Sequence, residues 1–328
     1  MHHLHLPIVY LAFLARSISC ILRLLSSSNI YYNHVFAGPV ESYIFPSASA
    51  RCCPCCLCVS QIFTSWRHYP NLIFNVKTLG LNDTKKLDFN DETSPYFMNT
   101  VDHILKNHSG IGMETFKLQL HPRANIDARC LDNWIQLAIN SGVNELALEL
   151  SLHVKTKYDF PCALLSCETG SCIQSLRLFS CAFRPTETFG CLRRLTHVFL
   201  HSVLINEEEL GHLLSNSCAM EKLELLSCNE IVRLEIPSTL SKLSLLRVLG
   251  CKILQAIEIN ATKLSTFHYG GAPVQNCFGD LLQARDIHML GFLQRDMICY
   301  ARTKLPSIAL NVVSLTLSSH TEVCVLIW

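Results

Sequence analysis

The 328-residue chain carries almost no net charge: 27 Lys and Arg stand against 26 Asp and Glu, leaving +1. Without a basic field there is no long-range attraction to phosphate backbones or anionic membrane surfaces, so neither nucleic acid nor a membrane is expected as a partner. The chain also lacks an uninterrupted apolar run of the roughly 20 residues that a membrane span requires. Its N-terminal apolar stretch, Leu6–Ala15, stops at Arg16, and the continuation to Leu25 is broken again by Arg23. No Lys or Arg precedes that stretch and no clear small-x-small cleavage site follows it, which argues against an export signal. The common catalytic fingerprints are missing too: there is no P-loop, no G-x-S-x-G elbow, no H-E-x-x-H pair and no paired-glycine motif. Neither enzymatic activity nor a cofactor is expected.

What the chain does have is apolar substance. At 49% hydrophobic and 16% charged residues it can bury a sizeable core, and its length allows one large domain or two ordinary ones. Eighteen cysteines could suggest a disulfide framework, but such frameworks belong to small, loop-rich domains with weak cores. Reduced cysteines are expected here.

From about Met113 the sequence returns again and again to an apolar residue, any residue, then a second apolar residue, usually with a leucine three positions earlier. The pairs are Leu118 with Leu120, Leu148 with Leu150, Leu176 with Leu178, Val198 with Leu200, Leu223 with Leu225, Leu246 with Val248, Phe267 with Tyr269, and Leu315 with Leu317. Between Leu176 and Phe267 the steps are 22, 25, 23 and 21 residues, within the 20 to 29 of leucine-rich repeats. Alternate residues of a strand point to one face, so each pair enters a shared core while the residue between faces out. Cys181, Cys228 and Cys251 follow three of these strands, where such repeats carry Asn or Cys, and are expected to be buried. A second register, Leu234 with Ile236 and Ile257 with Ile259, predicts another extended segment in those coils. No unit can bury its own apolar face, so the array should fold as one stacked body.

Ahead of the regular array the units are more helical. Thr93, Ser94 and Pro95 read as a helix start, with Phe97, Val101, Ile104 and Leu105 on one face and Gly110 as terminator. A strand through Phe116, Leu118 and Leu120 follows. Leu131, Trp134, Ile135 and Ala138 repeat at helical spacing before Gly142, and Leu146, Leu148 and Leu150 alternate as the next strand. Strand, helix, strand implies parallel strands joined by a right-handed crossover. The fold class is thus α/β: a leucine-rich-repeat solenoid of parallel strands with helical or irregular return segments.

Residues 57–81, LCVSQIFTSWRHYPNLIFNVKTLGL, resemble the second half of an F-box and the linker into the repeats of plant F-box/leucine-rich-repeat proteins. The resemblance continues through CLDNWIQLAINSGVNELALEL, LRRLTHVFLHSV, MEKLELLSCNEIVRLEI and KLSTFHYGG. It implies a substrate receptor of an SCF-type cullin-RING ubiquitin ligase, monomeric and acting in the cytoplasm or nucleus. In that family the F-box grips a Skp-type adaptor while the repeats choose the protein to be ubiquitylated. Carried onto this chain, Leu57, Val59, Phe63 and Trp66 would form the adaptor interface.

An F-box opens with a Leu-Pro start and two further helices, which residues 1–56 do not contain, so adaptor binding is expected to be weak or absent. The implied organisation is an atypical, poorly ordered segment over 1–56, a C-terminal F-box half over 57–76, and a repeat domain over 77–328. The strand Val313–Leu317 is followed only by a short apolar tail, so the repeat domain reads as C-terminally truncated, with an open edge and poor solubility expected. The alternative is a secreted or membrane-associated leucine-rich-repeat receptor fragment, for which sequons at Asn82, Asn107 and Asn260 would serve.

Cys52, Cys53, Cys55, Cys56 and Cys58 hold overlapping C-x-x-C spacings, but no second ligand pair follows at finger-like distance and no metal is expected. His197, His201 and His268 read as solvent-facing strand positions, and Glu207, Glu208 and Glu209 as the exposed start of a helix through Leu210 and Leu213.

Overall fold

The computed structural model describes residues 66–76, 78–79, 93–120, 126–151, 157–166, 170–190, 192–271, 274, 284–290, 311–318 and 323–327. The chain divides into two units, Met1–Arg67 with Val76–Leu87, and His68–Asn75 with Asp88–Trp328. Only Trp66, Arg67, Val76, Thr78 and Leu79 of the first unit are described. Residues 1–56, with most of the cysteine cluster, and Asn82 lie outside the described residues.

The second unit is built on strands β1 (Asn71–Phe74), β2 (Thr115–Gln119), β3 (Glu145–Glu149), β4 (Tyr158–Asp159), β5 (Ser175–Phe179), β6 (Cys181–Ala182), β7 (His197–His201), β8 (Lys222–Leu226), β9 (Arg233–Ile236), β10 (Leu245–Leu249), β11 (Ala256–Ile259), β12 (Thr266–Gly270), β13 (Asp286–Leu290), β14 (Ser314–Ser318) and β15 (Val323–Ile327). Eleven form one sheet in the order β1-β2-β3-β5-β7-β8-β10-β12-β13-β14-β15, parallel throughout except for β14 with β15. Long parallel sheets need crossovers on each step, which the repeats supply.

Register shows how the repeats stack. Leu72, Phe116, Leu146, Leu176, Val198, Leu223, Leu246, Phe267, Ile287 and Leu315 are successive partners, forming one inward row. Phe74, Leu118, Leu148, Leu178, Leu200, Leu225, Val248, Tyr269, Met289 and Leu317 form the second. Every member is buried except Leu317, which is half-buried. A third buried row lies three residues ahead of the first, in Met113, Val143, Ile173, Leu195, Met220, Leu243, Leu264 and Ala284. Each buried aliphatic side chain contributes about 1.5 to 3 kcal/mol, and the rows distribute that gain evenly along the array.

The main chain repeats with equal regularity. The carbonyl of Thr196 accepts from the N–H groups of Glu221 and Lys222 at 2.8 and 2.9 Å, that of Glu221 from Ser244 and Leu245, and that of Ser244 from Ser265 and Thr266. The same fork recurs from Pro70 to Arg285, so the polar backbone entering each strand is satisfied by the neighbouring coil.

One of the sequence expectations shifts. For Leu118/Leu120 and Leu148/Leu150 the inward pairs are Phe116/Leu118 and Leu146/Leu148, with Leu120 and Leu150 half-buried beyond the strand ends. The sheet begins with β1, within the segment 57–76, where Leu72 and Phe74 alternate inward. At the other end Ser314–Ser318 is followed by β15, which pairs with it in antiparallel register and is the last strand of the sheet.

The helices lie where the spacing puts them. Helix α1 (Thr93–Asn107) buries Phe97, Val101 and Leu105, while Ile104 is only half-buried. Helix α2 (Ala128–Asn140) opens on Asp127, whose side chain accepts the Arg129 N–H at 3.0 Å, and buries Leu131, Trp134, Ile135, Ala138 and Ile139. Trp134 Nε1 donates to Asp102 Oδ1 at 2.5 Å, tying α2 to α1. Helix α3 (Glu207–Ser215) opens on a capping box between Asn206 and Glu209. Glu207 and Glu208 are exposed as expected, but Glu209 is turned back, accepting from Asn206 N–H at 2.8 Å and Arg184 at 2.9 Å. The second register is present as β9 and β11, paired in parallel with Leu234 opposite Ile257 and Ile236 opposite Ile259.

Candidate functional site

Residues between the buried pairs make the outward face of the sheet, and parallel register sets them in three rows. The middle row runs Lys117, Ala147, Arg177, Phe199, Glu224, Arg247, His268 and His288. The row at the strand ends runs Phe179, His201, Leu226, Leu249, Gly270 and Leu290, an apolar and aromatic stripe. Phe179, Leu226 and Leu249 are half-buried and Leu290 is exposed, so large apolar side chains meet solvent here.

Four of the stripe residues, Phe179, His201, Leu226 and Leu249, are each followed by a left-handed residue. Ser180, Ser202, Ser227 and Gly250 take φ of 57°, 53°, 53° and 68°, and each donates its N–H to the last carbonyl of the next strand. The chain then turns inward at Cys181, Val203, Cys228 and Cys251, all buried. Cys228 Sγ donates toward the carbonyls of Leu200 and Leu226 at 3.6 and 3.7 Å. Burial pushes the Cys181 and Cys228 thiols up to about 12, which holds them protonated and unreactive.

Two groups stand out on the face. Over β5 and β7, the Arg177 guanidinium lies 4.5 Å from the centroid of the Phe199 ring. Phe179 packs against Phe199 at 5.1 Å and against His201 at 5.3 Å. Among the described residues Arg177 makes no hydrogen bond or ion pair. Over β8 to β13, Arg247 is engaged on both sides, through Nη1 with Glu224 and through Nε donating to His268 Nδ1 at 3.1 Å. The His268 and His288 rings follow at 4.3 Å. Burial first, then His288 and Arg247, hold His268 down at about 4, so its Nδ1 is a neutral acceptor for the guanidinium. His197 is lowered too, by burial and then by Lys222. At the N-terminal end Lys117 pairs with Glu149 at 2.7 Å.

The face is therefore mixed in polarity and without a catalytic constellation among the described residues. Its histidines occupy outward strand positions, as the sequence suggested, but His268 is tied into a polar chain rather than free in solvent. Among the described residues no group of three or more His, Cys, Asp or Glu could hold a metal ion. Of the adaptor residues implied by the family resemblance, Leu57, Val59 and Phe63 lie outside the described residues, and Trp66 opens a 3-10 turn, Trp66–His68. Sequence reasoning passed over Arg177, Phe179, Phe199 and Arg247, although reading down the column of outward residues would have collected them.

A family model described as At1g61320/AtMIF1, LRR domain, matches residues 104–326, about two-thirds of the chain. No curated protein and no solved structure matches it. The matched span covers β2 to β14 and thus nearly the whole outward face. With the stacked rows, this shows that the chain belongs to the At1g61320/AtMIF1 leucine-rich-repeat family, a protein-interaction module working through its repeat surface.

Proposed function

We propose that this chain is a non-catalytic receptor of the ubiquitin-ligase substrate-selecting type, holding its protein partner on the outward face of β5 to β13. The observation that carries this is the stripe Phe179, His201, Leu226, Leu249 and Leu290 running beside a polar row on aligned strands. Six strands at about 4.8 Å spacing give a row roughly 24 Å long, comparable to one side of an interface that buries about 800 Å² per partner. Apolar and aromatic anchors flanked by charged groups are what such interfaces use.

In this reading the segment 57–76 supplies only part of an adaptor-binding surface, through Leu57, Val59, Phe63 and Trp66, so a Skp-type adaptor is held weakly or not at all. The protein works as a monomer in the cytoplasm or nucleus. Seven of the described cysteines are free thiols, which supports a reducing compartment.

A photo-crosslinking residue at Leu249 of the full chain, expressed in cells, should capture protein, and Leu226→Asp on the same chain should remove that capture. Equal capture of the same proteins from Lys242, exposed in the turn before β10, contradicts the surface assignment. Co-purification with a Skp-type adaptor should be substoichiometric, and a tight 1:1 complex contradicts the incomplete adaptor surface. Occupied glycans at Asn107 or Asn260, both exposed, would contradict the compartment and favour an exported receptor fragment.

A further inference from the structure

We infer that Arg177 and the aromatic corner beside it form a recognition pocket for a partner's carboxylate side chain that neighbours an aromatic side chain. The inference deepens the surface reading above and rests on it, since the corner lies on the same face.

The starting point is an arginine without a hydrogen-bond or ion-pair partner among the described residues. Arg247 on the same row is committed to Glu224 and His268, and Lys117 to Glu149. Arg177, half-buried between them, lies over the Phe199 ring at 4.5 Å, and among the described residues its donors find no acceptor. A guanidinium fork fixed over an aromatic face is already ordered, so engaging an acid costs it little further side-chain entropy. A partly desolvated, unsatisfied fork also gains more from an anion than one free in water.

Charge selects the kind of anion. Glu145 lies on the neighbouring strand β3, at the position before Leu146, and Glu149 on the same strand is already matched by Lys117. A single cation without a described partner suits a monoanion, whereas a phosphate dianion calls for several cations at once. The rings of Phe179, Phe199 and His201, packed at 5.1 to 6.5 Å, supply the apolar wall for a neighbouring aromatic side chain.

The test follows the Arg177 Nε–H resonance of the full chain by NMR, assigned by its loss in Arg177→Lys. The probes are N-acetyl-aspartyl-phenylalanine amide, its asparaginyl analogue and inorganic phosphate. The aspartyl probe should shift that resonance and saturate on the order of 1 mM, as expected of so small a ligand. The asparaginyl probe should bind about tenfold more weakly or worse, because the charge-assisted bonds are gone. Arg177→Lys, which keeps the charge but not the fork, should lose aspartyl binding at least about fivefold with its melting temperature unchanged. Equal binding of the two dipeptides, tighter binding of phosphate, or no shift of Arg177 with any probe overturns the proposal. If the Leu249 cross-link persists in those cases, the pocket alone fails; if it is lost as well, the surface reading fails with it.

Discussion

Leu225 and Leu226 are neighbours in β8 that should lose very different amounts of stability on truncation. Leu225 is fully buried in the second inward row, aligned with Leu200 on one side and Val248 on the other, while Leu226 is half-buried on the outward stripe. Buried Leu→Ala changes cost about 2 to 5 kcal/mol, and the cost rises when the surroundings cannot close the hole. Here they cannot close easily, because the strands on both sides are pinned by the carbonyl forks at Thr196 and Glu221. Leu225→Ala should therefore lose about 3 to 5 kcal/mol, a large share of the roughly 5 to 15 kcal/mol typical of a folded domain. For a unit of this size that lowers Tm by about 6 to 20 °C. Leu226→Ala should lose about 1 kcal/mol or less. Urea unfolding followed by far-UV circular dichroism measures both, with the slope unchanged if the native state keeps its compactness. Equal losses for the two variants, or less than about 1 kcal/mol for Leu225→Ala, would refute the facing of β8 and with it the stacking argument.

Ser227 and Gly250 occupy equivalent left-handed positions, φ 53° and 68°, but only Gly250 lacks a Cβ. Gly250→Ala should destabilise by about 1 to 2 kcal/mol, since the left-handed region is costly for a side chain and the new Cβ would lie 3.3 Å from Ser227 Oγ; Ser227→Gly should cost nothing in the same thermal melts. The Cys181 and Cys228 thiols rise in the folded state from an ordinary 9.0 to about 12. Unfolded thiols release protons first as pH climbs through 9, so stability should be full below that pH and fall between about 9 and 12. At pH 8 native Cys218, which is exposed, should alkylate long before either buried thiol. The depressed His268 has the opposite sense: its stabilising contribution is present above about 6.5 and lost as pH falls toward 4. NMR titration should find its ring still neutral at pH 5.5, with the proton on Nε2, and a ring that charges near 6.5 contradicts the Arg247 contact.

The repeat architecture was legible because Leu176 to Phe267 combine regular steps with strict alternation, and two independent periodicities rarely coincide by accident. The same physics explains the slips. Phe116, Leu118 and Leu120, like Leu146, Leu148 and Leu150, alternate three deep, and a shift by two residues leaves every side chain on its own face. Only the buried residue three earlier, Met113 or Val143, sets the register. Strand β13 escaped because Ala284 stands where other coils carry a larger residue and Met289 replaces a branched one. Strand β1 was hidden inside a family resemblance that assigned Leu72 and Phe74 to a linker. The face was harder still: outward residues obey no period, and Arg177 acquires meaning only when β7 brings Phe199 beside it.

The central claim is that apolar residues some two dozen positions apart lie side by side in parallel register. Methyl-labelled NMR of the intact chain tests it directly, because neighbouring strands about 4.8 Å apart place row partners within contact range. The account expects through-space cross-peaks from Leu225 to both Leu200 and Val248, and none from Leu225 to the outward Leu249 of the next strand. Missing row contacts, or a Leu225 that meets Leu249 in place of Val248, would contradict it.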